Sequence, residues 1–455
     1  MGYGGDFGDE PNDYNFIMDG LLWSEHNLTP NMAEYAKSIE PVQTVARHHH
    51  EVTVVNRYDF LSLSHLTASW TIVTETKGVA CAGEVFIPRG VKPHGEARLR
   101  LENFHESMLL EAANSESFLQ LCFRPKHSTS WASEKHVVAT GELRMTKPLS
   151  LAGLRGLEPP MPRPTVDQTA EGLLTITSAT GSSTWVMNMV TGMLTSWKRA
   201  TQPGAEMLTE PVRMDLYRAL TDNDRSGHGR QWIQGRLHQI TSQVRMVKWH
   251  ETNDGLHVEV TERVAPPALG WGVENAWTFS FRGDSVCVRV RAKPCGPGLP
   301  ETLARIGLTL GLGGVGQVRW WGRGPGESYR DKKRSQLFGQ WEATVDDLWV
   351  DYEFPQDGGN RTDVRRVEFV GNGRRILRAR FGDLEGASFS ATHYSTRDVD
   401  ESRHPYELRA KEREDTIVKL DWAHHGLGTA SCGPWTLPRY QLRSDREYDF
   451  EVLLD

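Results

Sequence analysis

From Val52 onward the chain is written in short runs of β-branched and aromatic residues bounded by Gly, Pro, Asn and Asp, with almost no stretch in a helical period. A chain patterned this way can bury its apolar side chains only by stacking pleated sheets. Val52–Val54, Trp70–Ile72, Glu84–Ile87, Phe118–Phe123 and Val137–Val138 recur at roughly ten-residue spacing, which predicts an immunoglobulin-like β-sandwich over 41–149. Leu173–Thr177, Leu256–Val264, Ser285–Ala292, Val364–Val370 and Ile417–Leu420 carry the pattern on. So long a run of strands without an internal repeat predicts a large two-sheet sandwich over 165–455. Between the two, Pro148 and the prolines at 159, 160, 162 and 164 predict an extended linker over 150–164.

Residues 1–40 read differently. Tyr3–Phe7 predicts a short strand, followed by a long polar loop. Thr29 then offers an N-cap and Pro30 the first helical position, with Met32, Tyr35, Ala36 and Ile39 on one apolar face. One strand, one loop and one helix make a single βα unit, which cannot bury its own faces.

Charge and cysteine usage exclude several classes. The net charge of −7 comes from mixed signs, so no basic face for nucleic acid is expected. No apolar run approaches the roughly 20 residues of a membrane span. The glycine-rich, acidic start Met1–Asp9 is unlike a secretory leader. Five widely spaced cysteines without a CxxC pair read as free thiols of a reducing compartment, and a cytoplasmic protein is expected. Asn27 and Asn360 each begin a glycosylation sequon, read as chance matches.

Three segments carry most of the specific signal. The first runs Trp320-Trp321-Gly322-Arg323-Gly324-Pro325-Gly326-Glu327-Ser328-Tyr329, then Asp331, then Tyr352 to Asn360. Aromatic pairs, tight turns and single charges alternate there more densely than packing requires. The second is Gly4 to Gly20, with Asp6, Asp9, Asn12, Asp13, Phe16 and Asp19. The third is His424 to Pro438, whose small residues and turn signals hold Trp435 on a loop.

Together these segments resemble the C-terminal part of the β-galactosidases of glycoside hydrolase family 2. The resemblance spans nearly the whole chain and implies a fold: mainly β, with a one-unit remnant of a TIM barrel, then the Ig-like sandwich, then a sandwich of the galactose-mutarotase-like type. It also implies site residues. Phe16 takes the place of a backbone carbonyl that binds sodium. Asp19, where the family often has Asn, takes the place of a sodium ligand that also reaches the galactose 6-hydroxyl; a carboxylate oxygen suits such a hard cation. Trp435 takes the place of an aromatic platform for the sugar. Packing of Trp435 at the sandwich edge, and turn roles for Asp13 and Asp19, are the plainer readings of the same residues.

Retaining glycosidases need two carboxylates about 5 Å apart. By the resemblance both lie upstream of this chain, with the magnesium ligands and most galactose contacts, so no catalytic residue is expected here. Asp9, Glu10 and Asp13 cluster in one turn and cannot flank a sugar. The expected activity is therefore hydrolysis of terminal β-galactosides only together with the N-terminal portion that carries the barrel. This chain would supply part of the galactose site, part of the sodium site and part of an oligomer interface.

Other motifs carry less. Asp222-Asn223-Asp224 lacks the later Gly and Glu of a calcium loop, and a hydrogen-bonded turn is expected. Gly227 and Gly229 would permit a mobile lid. His48, His49 and His50 are consecutive, so on a strand they cannot converge on one ion. Gly311 to Gly316 lacks the Lys-Ser/Thr pair and helix of a phosphate loop. Cys432 lacks the orienting third group that a Cys–His nucleophile needs. Two alternative functions remain: a non-catalytic carbohydrate-binding or scaffolding sandwich, and an aldose epimerase, for which His393 and Glu327 are the candidate pair.

Overall fold

The structure, a computed structural model, describes residues 2–16, 20–105, 115–156, 161–200, 206–253, 255–382 and 384–455. It divides into two compact units: Met1–Asn15 with Ser150–Lys333 and Trp341–Asp455, and Phe16–Leu149 with Arg334–Gln340. Residues 1–40 are thus shared between the units and form none of their own. Among the described residues, no helix is long and apolar enough to cross a membrane.

In the unit built on 16–149, seven antiparallel strands form one continuous sheet, in the order Val42–His48, Glu51–Asn56, Glu96–Leu101, Gly78–Phe86, Leu66–Thr74, Ser117–Pro125, Ala139–Thr146. Its first and last strands lie side by side, so the sheet curls around one core that includes Val52, Val54, Trp70, Ile72, Leu99, Leu119 and Phe123. Alternation along Leu66–Thr74 and Ser117–Pro125 sends these side chains inward. The three histidines lie at the hairpin between the first two strands, with His49 in the left-handed region.

Among the described residues of this unit the α-helix is Pro30–Ser38, capped by Thr29, whose hydroxyl accepts from the Met32 amide. Lys37 donates to the Thr140 carbonyl at 2.6 Å and pairs with Glu40. Its expected apolar face is not buried, however. No residue of the helix is buried, and Tyr35 is 51% exposed. The expected strand Tyr3–Phe7 is a turn. Asp6 accepts from the Tyr3 amide at 2.7 Å while the Asp6 amide donates to the Tyr3 carbonyl at 3.1 Å. Turn chemistry at Gly4-Gly5-Asp6 overrides the β preference of the flanking aromatics.

The other unit contains three sheets. A nine-stranded sheet begins with the consecutive antiparallel strands Thr241–Thr252, Gly255–Ala265, Gly272–Arg282 and Ser285–Cys295, and continues through Tyr448–Leu454, Arg374–Arg380, Arg366–Gly371 and Gln317–Gly324. A five-stranded sheet runs Leu208–Asp215, Arg305–Leu312, Thr416–His424, Ser388–Thr392, Arg361–Thr362. Val258, Val260 and Phe279 of the first share one apolar core with Leu308, Leu310, Val418 and Leu420 of the second. Arg305–Leu312 is buried at every position, as a central strand covered on both faces must be.

A third, four-stranded sheet of Thr165–Gln168, Leu173–Thr177, Ser183–Asn188 and Met193–Arg199 was not separable in the sequence. Its Trp185 packs on Phe281, ring centroids 5.3 Å apart. The stretch expected as an extended linker begins instead with a short helix, Leu151–Gly156. Leu151 is buried against Cys287 and Leu453, and Arg155 pairs with Glu451 at 2.9 Å. An apolar anchor and an ion pair outweigh the prolines that follow.

The Trp320–Asn360 block is framework. Trp320 and Trp321 are buried, and a Cβ on Gly324 would sit 2.6 Å from the Trp341 ring. Glu327 accepts from Lys332 at 2.5 Å, Tyr352 at 2.8 Å and the Gly359 amide at 2.7 Å. Buried Arg361 donates to the Leu348 and Gly359 carbonyls at 2.8 and 2.6 Å. The Glu327 and Arg361 charges are spent holding loops together.

Candidate functional site

The loop bearing Trp435 leaves the end of Thr416–His424, the centre strand of the five-stranded sheet. Three side chains tie it down. Arg218, fully buried, holds Asp224 with two hydrogen bonds of 3.0 and 2.8 Å and donates to the His425 and Gly426 carbonyls at 2.7 and 3.3 Å. The Asp331 carboxylate accepts from the Leu427 and Gly428 amides at 2.9 and 2.8 Å. Asn223 donates to the Gly428 carbonyl at 3.1 Å and accepts from the Ser431 amide at 3.0 Å. Gly428 has φ +66°, and a Cβ there would sit 2.7 Å from the Thr436 hydroxyl, so only glycine closes this turn.

The helix that presents Arg218's partner follows from local chemistry. Thr221 and Asp224 form a capping box around Asp222–Ser226, so the acidic cluster is a helix start. A Cβ on Gly229 would meet the Asp224 carbonyl at 2.5 Å, so Gly229 serves close packing, with Trp232 buried three residues on.

Trp435 is 49% exposed. One edge of it rests against buried His228, ring centroids 5.0 Å apart, and His228 in turn meets His425 at 4.7 Å. His425 stands edge-on to Trp232 at 5.3 Å. The Leu442 amide donates to His425 Nδ1 at 3.0 Å, which puts the proton of the neutral ring on Nε2. Burial, reinforced by the Arg218 charge, lowers the His425 pKa to about 2. Burial also lowers that of His228. Both rings are therefore neutral packing groups, unsuited to activate the exposed Cys432 thiol.

Beneath the loop, Arg305 bridges Asp215 at 2.7 Å and Asp421, and Asp421 holds His424 Nε2 at 2.6 Å. Burial would raise the Asp421 carboxyl, but Arg305 and His424 outweigh it and hold it below the ordinary carboxylate range. This network is closed on itself and rigidifies the strand end. What remains open to a ligand is the exposed half of the Trp435 side chain. That is binding geometry, with no nucleophile or proton shuttle beside it.

The other expected site residues fall elsewhere. Phe16 belongs to the unit that contains the seven-stranded sheet and is 57% exposed, whereas Trp435 belongs to the other unit. Neither unit holds the whole expected set. Asp19 lies outside the described residues. Among the described residues no group of three His, Cys, Asp or Glu could hold a metal. The epimerase pair is not assembled: Glu327 is bound into its own network, and His393 Nδ1 is 3.0 Å from the Asp415 carbonyl. The sequence singles out Trp435 and, in separate motifs, Asn223 and Asp331, but not that these two with Arg218 fix the Trp435 loop; no local pattern marks a contact between residues so far apart in the chain.

Comparison with known proteins places these features in context. Residues 179–454 match the family described as beta galactosidase small chain. Residues 52–146 match beta-galactosidase domain 4, and residues 1–44 match the TIM barrel domain of glycosyl hydrolases family 2. The β-galactosidase of Kluyveromyces lactis is 27% identical, over 100% of this chain and 41% of that protein. That of Vibrio cholerae is 28% identical, over 100% of this chain and 42% of that protein. The chain thus spans about two fifths of the length of these relatives. A galactose mutarotase-like protein from Lactobacillus casei overlaps 62% of the chain and 99% of its own, at 8% identity and a TM-score of 0.33, too slight a likeness to build on.

Proposed function

The chain belongs to the β-galactosidase small-chain family, and from that premise we propose that it acts as the C-terminal portion of an enzyme hydrolysing terminal β-D-galactosides. The observation that carries this reading is Trp435, a half-exposed indole on a loop held by Arg218, Asn223 and Asp331. A galactose ring stacks its apolar face on such a surface while its hydroxyls take polar partners elsewhere. The chain has no catalytic role of its own in this reading. The carboxylate pair and the magnesium ligands come from the N-terminal portion of the enzyme.

Sodium would be held in part by the Phe16 carbonyl and the Asp19 carboxylate, both hard oxygen donors, with further ligands from that portion. Bound there, it would supply positive charge beside a sugar hydroxyl. Asp19 would orient both ion and hydroxyl.

The test is kinetic. In enzyme reconstituted from this chain and a protein carrying the rest of the barrel, Trp435→Ala is expected to raise KM for lactose about tenfold, with a smaller change in kcat. Asp19→Ala is expected to abolish the dependence of KM on sodium. An unchanged KM in Trp435→Ala would remove the platform from the account.

A further inference from the structure

The unit containing the large sandwich holds a cleft of about 710 Å³ between its nine- and five-stranded sheets, within the usual range of small-molecule sites. One wall comes from Gly255–Ala265 and Gly272–Arg282, the other from Leu208–Asp215 and Arg305–Leu312, with the helix Thr396–Glu401 at the rim.

The alternation of Gly255–Ala265 points Leu256, Val258, Val260, Glu262 and Val264 inward. A glutamate therefore occupies a core position between valines. It is 6% exposed. Its partners are all neutral donors: the Ser242 hydroxyl, Asn275 Nδ2 at 3.0 Å and Trp277 Nε1 at 2.7 Å. A buried carboxylate without a cation is a costly placement, and a carboxylate offers about four acceptor directions, of which three are used. Asn275, paired opposite Glu262 and fully buried, has an Oδ1 with no hydrogen-bond partner. Glu262 lines the cleft and Asn275 does not, so the carboxylate is the acceptor that this spot turns toward a ligand.

Asp400 lines the same cleft, accepting from the Tyr217 hydroxyl at 2.6 Å and the Leu220 amide at 2.9 Å. Burial raises its carboxyl above the ordinary range. Trp277 and Phe279 supply an aromatic wall, and Arg213 and Thr396 bring donors to the margin.

We propose that this cleft is a binding site for a neutral polyhydroxylated ligand, a mono- or disaccharide, separate from the Trp435 platform and without a catalytic role. A polyol presents hydroxyl donors for Glu262 and Asp400, acceptors for the rim and an apolar face for Trp277. A metal ion would need a convergent ligand set, which the described residues do not form. An organic cation would use the acceptors but leave the rim donors unmatched.

The experiment is a titration of the purified full chain with lactose, and separately with maltose, by calorimetry with intrinsic tryptophan fluorescence as a second readout. Saturable binding of at least one sugar is expected. It should weaken about tenfold or more in Glu262→Gln, which keeps the shape but removes the charge. It should weaken similarly in Thr191→Trp, an exposed rim position whose new bulk fills the mouth. Phe60→Ala, at an exposed position of the other unit, should leave it unchanged. Because Thr191 is exposed, that variant decides the matter even where Glu262→Gln fails to fold. No saturable binding of either sugar, binding untouched by Thr191→Trp, or saturable binding of choline in place of sugars overturns the proposal. Binding lost in Trp435→Ala alone also overturns it, and would leave the platform reading standing.

Discussion

At the scale of single residues, buried charges decide the most. Arg218 is fully buried and satisfies a carboxylate and two carbonyls at once. Burial alone would depress its guanidinium, and Asp224 more than compensates, so it stays cationic. Arg218→Ala would strand Asp224 and the loop carbonyls, and a loss of about 3–5 kcal/mol in denaturant unfolding is expected. A loss below ~1 kcal/mol would mean the pair is not the anchor described. Trp435→Ala, at a half-exposed site, should change stability by about 0.5 kcal/mol or less. His425 gives a pH dependence with a definite sign. Its pKa is about 2 when folded against an ordinary 6.5, so between those values the unfolded chain binds the extra proton. The stability it confers is complete above pH 6.5 and falls on acidification, by up to about 1.4 kcal/mol per pH unit. Asp421 adds a second loss only below its ordinary value of 3.8. Unfolding free energy measured from pH 7 to 4.5 should slope less in His425→Asn than in the parent chain. Equal slopes would contradict the buried, neutral ring.

At the scale of elements, strands with a strong period were legible and contacts between them were not. Leu173–Thr177 was read to its boundaries, and Val52, Trp70, Phe118, Leu256, Ser285 and Ile417 each head or lie in an observed strand. The helix at Pro30 was legible because its cap is local: a Thr, a Pro and three amides. Its environment was not legible, because burial depends on what faces it, and its apolar face stays half-exposed. The Leu151–Gly156 helix was hidden by neighbouring prolines, and its anchor on Cys287 and Leu453 lies far away in the sequence. Amide exchange should rank these elements. The amides of Pro30–Ser38 are expected to exchange far faster than those of Arg305–Leu312, which is buried throughout. Comparable protection would contradict the exposed helix. Within Arg305–Leu312, a Cβ on Gly307 would lie 2.1 Å from the Asp421 carboxylate and 2.5 Å from the Leu420 carbonyl. Gly307→Ala should therefore cost about 1–3 kcal/mol or more, read as a lowered denaturation midpoint.

At the scale of the whole molecule, the Trp320–Asn360 block proved to be a family label built for structural reasons. Its buried tryptophans, Glu327 and Arg361 frame the large sandwich. Of the candidate site only Trp435 was reached from the sequence, through the family resemblance of the His424–Pro438 segment; its half-exposure depends on the fold around it. Glu262 was also visible in principle, as the one charge in an inward-facing row of Leu and Val, but periodicity alone could not say that a cleft lay in front of it. The chain spans about two fifths of the length of its β-galactosidase relatives, and in the proposed reading it contributes binding surfaces while the bond-breaking groups lie outside it. The most direct test is turnover of a chromogenic β-galactoside by the purified chain, alone and after mixing with a protein that carries the rest of the barrel. The account predicts no turnover alone and turnover on mixing; hydrolysis by the chain alone, abolished by denaturation, would contradict it.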